Sequence, residues 1–411
     1  KPGSENITVV ELLKQYAANR KVTLQIVDPD RNPALIAAYA GTAGDGEDPR
    51  NVSVGSVIVV SGDRSRIVPS IDLYNVSYTE EGGVNVYGFK AEQSVSAAIQ
   101  YVATGKQLQV YQLIGHDEYT FEDLTYASAL EKSNFTLHTL NMTTAAAIPG
   151  DADIVAIISP SWDYSRNETA KIRDFLERGG SLFVALDFVQ DNLKNLYELL
   201  SAWNIEVRRG VVMEQDTDRL IPEFGSSPLA FSPEYAEEEI TGPLRDNNQA
   251  MIITTSLGIR ETAVSKRNIE FIPVLQSSAK SWLRIDLNTT SQNRIMTDIS
   301  GPVVVAAAAA EKSMETGFQE GSKLLVIGST QSFTPLTGVG SLKANFDFTV
   351  SAMGWLAGAG NLINVQSRSL YRLPLQLSAT NAFLYAGIAV ILIPFGIIAA
   401  GLIVYLRRKR L

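Results

Sequence analysis

The stretch Asp151–Asp187, DADIVAIISPSWDYSRNETAKIRDFLERGGSLFVALD, decides the fold. Ala152–Ser159 (ADIVAIIS) is a near-continuous apolar run of strand length, the pattern of a strand covered on both faces. Asn167–Arg178 is amphipathic with a helical period, and Gly179-Gly180 supplies a C-terminal stop. Ser181–Asp187 (SLFVALD) is a second strand of the buried type. Strand, helix and strand in this order predict parallel pairing through a right-handed crossover.

The same alternation continues outward. Leu108–Ile114 reads as a buried strand, Glu122–Ser133 as a helix, Thr136–Leu140 as a strand and Leu193–Trp203 as a helix. Residues 210 to about 300 lose the period and predict a β-rich insertion that includes Met251–Thr255 and Ile269–Leu275. Lys323–Ser329 (KLLVIGS) returns to the buried-strand type, and Asp347–Ala357 is helical. The expectation is an α/β fold with a doubly wound sheet over residues 106–365.

Residues 1–105 form a separate α/β unit. Val9–Ala18 has helical spacing, Lys21–Val27 (KVTLQIV) alternates like a strand, and Asn32-Pro33 opens a second helix. Ser56–Ser61, Gly62-Asp63 and Arg64–Val68 read as a hairpin, and Ala91–Val102 as a helix. This order resembles a thioredoxin fold lacking its first strand. The redox Cys-x-x-Cys is absent, so redox chemistry has no carrier.

Ala382–Leu406 (AFLYAGIAVILIPFGIIAAGLIVYL) contains no charged residue and precedes Arg407, Arg408, Lys409 and Arg410. A bilayer core needs roughly 20 apolar residues of helix. The expectation is a transmembrane helix over 382–406, kinked at Pro394, with Tyr385 and Tyr405 near its ends. The tail 407–411 is cytoplasmic by the positive-inside rule, which places the bulk of the chain outside the cytoplasm. Residues 366–381 are then a juxtamembrane linker. Gly387, Gly396, Ala400 and Gly401 are small residues suited to close helix packing, and ordinary membrane-helix composition explains them equally well. The chain starts at Lys1 without a signal-like run, which predicts a trimmed or missing leading segment.

The formal net charge is −9 over 411 residues, and −13 once the four basic tail residues are set aside. An acidic ectodomain opposes nucleic acid as a partner. Without cysteine there are no disulfides, thiolate metal sites or Cys nucleophile. No Gly-x-x-x-x-Gly-Lys-Ser/Thr loop and no Gly-x-Ser-x-Gly elbow occurs, so neither ATP hydrolysis nor a serine hydrolase is indicated. Gly338-Val339-Gly340 lacks the context of a nucleotide loop. Of the two histidines, His138 lies in a strand-like alternation and reads as structural. Glu237-Glu238-Glu239 reads as a solvated face.

His116 and Glu118 follow the first buried strand, in Gly115-His116-Asp117-Glu118. In doubly wound folds ligands bind beyond the carboxyl ends of strands. Ser161 and Trp162 follow the next strand, and Asp187 ends a third. Two readings stay open: a small polar ligand pocket of these residues, or a tight turn at Gly115 whose side chains bond neighbouring loops. Spacing gives no metal set.

Several segments together resemble the extracytoplasmic auxiliary component of ABC transporters of the gliding-motility (GldG-like) type. They are VTLQIVDPDRNPALIAAY (Val22–Tyr39), QVYQLIGHDE (Gln109–Glu118), Asp151–Asp187, LLVIGSTQSF, FDFTVSAMGWLAGAGNLI, and the terminal helix with its Arg-Arg-Lys-Arg. The resemblance implies a class I amidotransferase-like second domain without the catalytic cysteine. It also implies a further membrane helix before the first domain. At Ser329-Thr330-Gln331 the chain departs from the acidic residues common in the family, which puts a shared acidic ligand site in doubt. The implied role is a bacterial cell-membrane subunit without catalysis or cofactor. It would pair with an exporter-type permease and a separate cytoplasmic ATPase, and engage an envelope polymer or lipid. Two other classes remain: an anchored envelope hydrolase using His116 and Glu118, and a structural scaffold or adhesion module.

Overall fold

The computed structural model describes residues 6–40, 52–78, 84–124, 126–188, 192–246, 249–312, 321–333, 343–358, 368–369, 388, 390 and 393–409. Residues up to 370 form one compact unit, and residues 371–411 a second.

The first unit opens with α1 (Ile7–Ala17), whose N-terminus is capped by the Asn6 side chain accepting from the Thr8 and Val9 amides. Then come α2 (Pro33–Ala40) and the hairpin β1 (Val57–Ser61) and β2 (Arg64–Val68), which turns on Gly62-Asp63. Next are β3 (Tyr74–Tyr78), β4 (Val84–Phe89) and α3 (Ala91–Thr104). Val9, Val68, Leu73, Ala91, Val95 and Ala98 form a small core of their own. Lys21–Val27 corrects the sequence reading: it makes no strand. Its alternation offers one apolar face, yet no neighbouring strand pairs with it and Ile26 stays exposed. The order expected of a thioredoxin-like unit therefore lacks that strand among the described residues, and β1 and β2 form a sheet separate from that of β3 and β4.

The central sheet begins with β5 (Leu108–Ile114), followed by α4 (Ala127–Lys132), β6 (Phe135–Asn141), β7 (Ile154–Ile158), α5 (Arg166–Glu177), β8 (Ser181–Ala185) and α6 (Lys194–Ser201). Glu122–Ser133 was expected as one helix and shrinks to α4. Side chains capture the backbone donors ahead of it: Asp123 accepts from Thr120 N (2.7 Å), and Gln112 Oε1 accepts from Phe121 N (2.5 Å). These bonds favour a turn over a helical ladder.

Short strands follow: β9 (Ile205–Arg208), β10 (Val211–Met213), β11 (Ala230–Phe231) and β12 (Glu234–Tyr235), then α7 (Glu238–Asp246). After it come β13 (Ile253–Thr254), β14 (Gly258–Glu261), β15 (Ile269–Gln276), β16 (Trp282–Arg284) and β17 (Ile299–Ser300). The chain then runs through β18 (Val304–Glu311), β19 (Lys323–Ile327), α8 (Lys343–Leu356) and β20 (Arg368–Ser369). Strands β5, β6, β7, β8 and β19 are mutually parallel, in the spatial order β6-β5-β7-β8-β19. Numbered within that set, this is the order 2-1-3-4-5. β18 and β15 extend the sheet antiparallel beyond β19.

Residues 210–300 are thus not a detached module. β12, β14 and β15 belong to the central sheet, while β10-β16-β17 and β11-β13 make small sheets beside it.

Side chains alternate between two cores. Val110, Ala156, Phe183 and Leu325 join Leu130, Ile240, Leu244, Phe348 and Ala352 on one face. Leu113, Val155, Leu182 and Val326 join Ile172, Phe175, Leu196 and Leu199 on the other. Helices α4, α7 and α8 therefore cover one face, and α5 and α6 the other. Ala306–Ala310 makes strand despite the helix preference of alanine, because β15 and β19 pair with it from both sides. Glu239 is exposed, as the solvated reading has it, and also accepts from Trp355 Nε1 at 3.0 Å.

In the second unit the helix α9 (Ile393–Lys409) exposes Phe395, Ile398, Leu402 and Tyr405. Among the described residues no helix is long and apolar enough to cross a membrane. The first part of the expected span, with Tyr385 and Gly387, lies largely outside the described residues. Pro394 lies in α9, and residues 391 and 392 just before that helix lie outside the described residues. Gly338-Val339-Gly340 also lies outside them, as does the linker apart from β20.

Ala308 is fully buried between Ile272 and Leu325. Ala308→Ile is expected to lower stability by about 1–3 kcal/mol through overpacking. Urea unfolding followed by tryptophan fluorescence checks this; an unchanged midpoint would contradict the packing described.

Candidate functional site

The sheet reverses its winding between β5 and β7, so their carboxyl ends open a crevice. Two tight turns build it. After β5, Gly115 adopts φ 123°, and a Cβ there would lie 2.9 Å from Asn141 Oδ1. Asp117 (φ 61°) and Ser159 (φ 51°), one in each turn, take left-handed backbone conformations unusual for non-glycine residues. The turns are tied together: Ser161 N donates to His116 O (2.8 Å), and Tyr119 N to Ile158 O (2.9 Å).

The result is a cleft of about 390 Å³ lined by Asp117, Glu118, Tyr119, Asp123, Ser159, Ser161, Asp187 and Phe188. Three residues expected from the sequence, Glu118, Ser161 and Asp187, meet here. Trp162 is 48% exposed and is not part of the lining.

His116 stands behind the cleft wall, 4% exposed. Its Nε2 lies 3.3 Å from Glu168 Oε2, and its Nδ1 lies 3.4 Å from Glu118 Oε1, close enough for attraction but not aligned as a hydrogen bond. Glu118 accepts from the His116 amide (2.6 Å) and from the Tyr164 hydroxyl (2.5 Å), and the Tyr164 ring packs 4.2 Å from the imidazole. Burial pushes the Tyr164 hydroxyl well above its ordinary range, and Glu118 adds to this. Burial opposes the charge on Glu168, but the Ser165 hydrogen bonds and His116 outweigh it and hold the carboxyl below its usual range.

Glu168 was not singled out in the sequence. The signal was there: Ser165-Arg166-Asn167-Glu168 spells a capping box, and both bonds of the box form at the start of α5. Ser159 opens the strand-end turn, Ser159 to Trp162, that the sequence points to, whereas Asp117, Asp123 and Phe188 were not nominated. His138 is structural, stacked on Tyr111 and bonded to Gln109 at 2.8 Å.

A family model for an ABC-type uncharacterized transport system, the auxiliary-component family, matches residues 106–341. The chain belongs to this family. The match spans the central sheet from β5 to β19 and with it the whole cleft. No curated protein matches the auxiliary component. Among solved structures it is similar to the mmIFT52 N-terminal domain, at 15% identity over 60% of this chain and 97% of that one, with a TM-score of 0.42. A ThuA-like protein from Bacteroides uniformis matches at 11% identity over 61% and 91%, with a TM-score of 0.36. PurLQS from Thermotoga maritima matches at 10% over 61% and 100%, with a TM-score of 0.29.

Among the described residues the cleft of the auxiliary component carries no basic side chain in its lining. Among the described residues no three His, Asp or Glu side chains converge closely enough to hold a metal ion. Of the small residues proposed for helix packing, Gly396 and Gly401 in α9 face open space, and the side chain of Ala400 lies outside what is described.

Asp187 Oδ1 is buried without a hydrogen-bond partner. Burial raises its pKa from 3.8 to about 6, against the backbone amides of Phe188 and Thr330. The native carboxyl therefore holds its proton more tightly than the unfolded one. Its stabilising contribution is complete below the unfolded value of 3.8 and is lost as pH rises through about 6. Allowing for partial solvent access, the effect is about 1–2 kcal/mol. Asp187→Asn is expected to be more stable than the parent by about that much at pH 8, with the gain absent near pH 3.5. Urea titrations at both pH values check this; an equal difference at the two would refute the desolvation account.

Proposed function

We propose that this auxiliary component is a non-catalytic, membrane-anchored subunit whose large unit lies outside the cytoplasm and engages a ligand for a permease driven by a separate ATPase. The family match over the cleft-bearing domain carries this reading. Transport gives such a domain the task of holding a molecule, and a strand-end cleft at the winding reversal suits holding.

The chemistry of the cleft supports binding over catalysis. The Ser161 hydroxyl donates to Asp117 at 3.1 Å, and the one histidine nearby is buried with both ring nitrogens against carboxylates. A hydrolytic base needs a nitrogen free to take a proton from a nucleophile. The envelope hydrolase is therefore the weaker reading. Anchoring through 382–406, with the basic tail cytoplasmic, rests on the uncharged span and the cluster that follows it.

The chain is free of cysteine, so an introduced thiol reports its own location. Gln292→Cys, on an exposed loop, is expected to react with a membrane-impermeant maleimide in intact cells. Arg408→Cys is expected to react only after lysis. The reverse pattern would overturn the topology. Mild detergent extraction from the native membrane is expected to recover a permease and an ATPase in fixed ratio; recovery of the chain alone, while other membrane complexes survive, would overturn the subunit role.

A further inference from the structure

We propose that the basic end of α9 binds anionic phospholipid headgroups and so selects negatively charged lipid around the anchor; this rests on the reading of 382–406 as a membrane anchor. The charge of the chain is divided unevenly. Residues 371–411, the second unit, contain Arg372, Arg407, Arg408, Lys409 and Arg410 and no Asp or Glu. Residues 1–370 carry −14 once these five are set aside from the total of −9. Asp347 is the last acidic residue in the sequence. The small unit thus has no carboxylate of its own to neutralise its cations.

The helix continues into the basic run. Arg407, Arg408 and Lys409 are the last three residues of α9. Arg407 and Arg408 are exposed, with no acidic partner among the described residues. The helix dipole supplies roughly half a negative charge at this end, which offsets less than one of the three cations. Successive helix positions are about 100° apart, so the basic positions are spread around the axis. A helix lying along a surface gathers its cations on one face. Cations spread around the axis suit a headgroup layer that the helix passes through.

Depth agrees with this. Phe395, Ile398 and Leu402 are exposed along the earlier turns of α9. Tyr405, 60% exposed, stands just before the basic run, and aromatic rings favour the headgroup zone. One helix therefore presents apolar side chains, then a phenol ring, then cations, the order of the layers in one leaflet of a bilayer. The layer that meets the cations is the phosphate layer. An anionic headgroup supplies their countercharge there, whereas a zwitterionic one brings no net charge.

The test is native mass spectrometry of the full-length protein in a neutral detergent. Dioleoyl phosphatidylglycerol and dioleoyl phosphatidylcholine are added in equal amounts, and inorganic phosphate separately. Phosphatidylglycerol adducts are expected to predominate, less so as salt rises. Phosphate is expected to leave no adduct, because a free anion brings no acyl chains to hold it beside the helix. Arg408→Gln is expected to lower the ratio of phosphatidylglycerol to phosphatidylcholine adducts about fivefold, the weight of one basic residue at an anionic surface. Arg20→Gln, an equal charge loss at an exposed position of the large unit, is expected to leave the ratio unchanged. Tryptophan-fluorescence melts confirm that both variants are folded. Equal adducts of the two lipids, an unchanged ratio in Arg408→Gln, the same loss in Arg20→Gln, or phosphate adducts in place of lipid would each overturn the inference. Maleimide labelling that upholds the topology of a chain without lipid preference would overturn this assignment alone and leave the anchor standing.

Discussion

Burial of the central sheet on both faces is the constraint from which the rest follows. Each parallel strand sends alternate residues into two separate cores, as Ile154, Ala156 and Ile158 do on one side and Val155 and Ile157 on the other. The inner strands have little polar face to spare, and the turns where they stop hold Gly115, Asp117 and Ser159 in uncommon backbone geometry. The cleft is what the sheet leaves open at its carboxyl edge.

The turn after β5 is held at the back by buried polar contacts and at the front by the bond from Ser161 to Asp117. His116 sits between Glu118 and Glu168, and Glu168 is at once an N-terminal cap of α5 and a partner of the imidazole. One side chain thus links the start of a helix on one face of the sheet to the loop that shapes the cleft wall. These contacts are buried and hydrogen-bonded, so the geometry of this wall is set by the fold.

Much of this was legible from residue order. Buried strands announce themselves as short apolar runs, and Leu108–Ile114, Ala152–Ser159, Ser181–Asp187 and Lys323–Ser329 each mark a strand of the sheet. Their ends then nominated Glu118, Ser161 and Asp187. What escaped was decided by neighbours distant in sequence. Ala306–Ala310 received no assignment from the sequence and is strand because β15 and β19 flank it. Lys21–Val27 reads as strand and finds no partner. Glu122–Ser133 loses its first turns to Gln112 and Asp123, a competition that periodicity does not register. Glu168 was hidden for another reason: a capping residue looks local, and its second role depends on a loop some fifty residues earlier, at His116.

The two-residue strand β20 pairs with β4 through Arg368–Phe89 and Ser369–Gly88, so the end of the large unit is stitched to a sheet that precedes the doubly wound one in the chain. A tension applied beyond residue 370 is borne first by this short ladder and by β4, not by the doubly wound sheet. Small ladders give way before large ones. The ladder of β20 on β4 therefore yields before the sheet that carries the cleft.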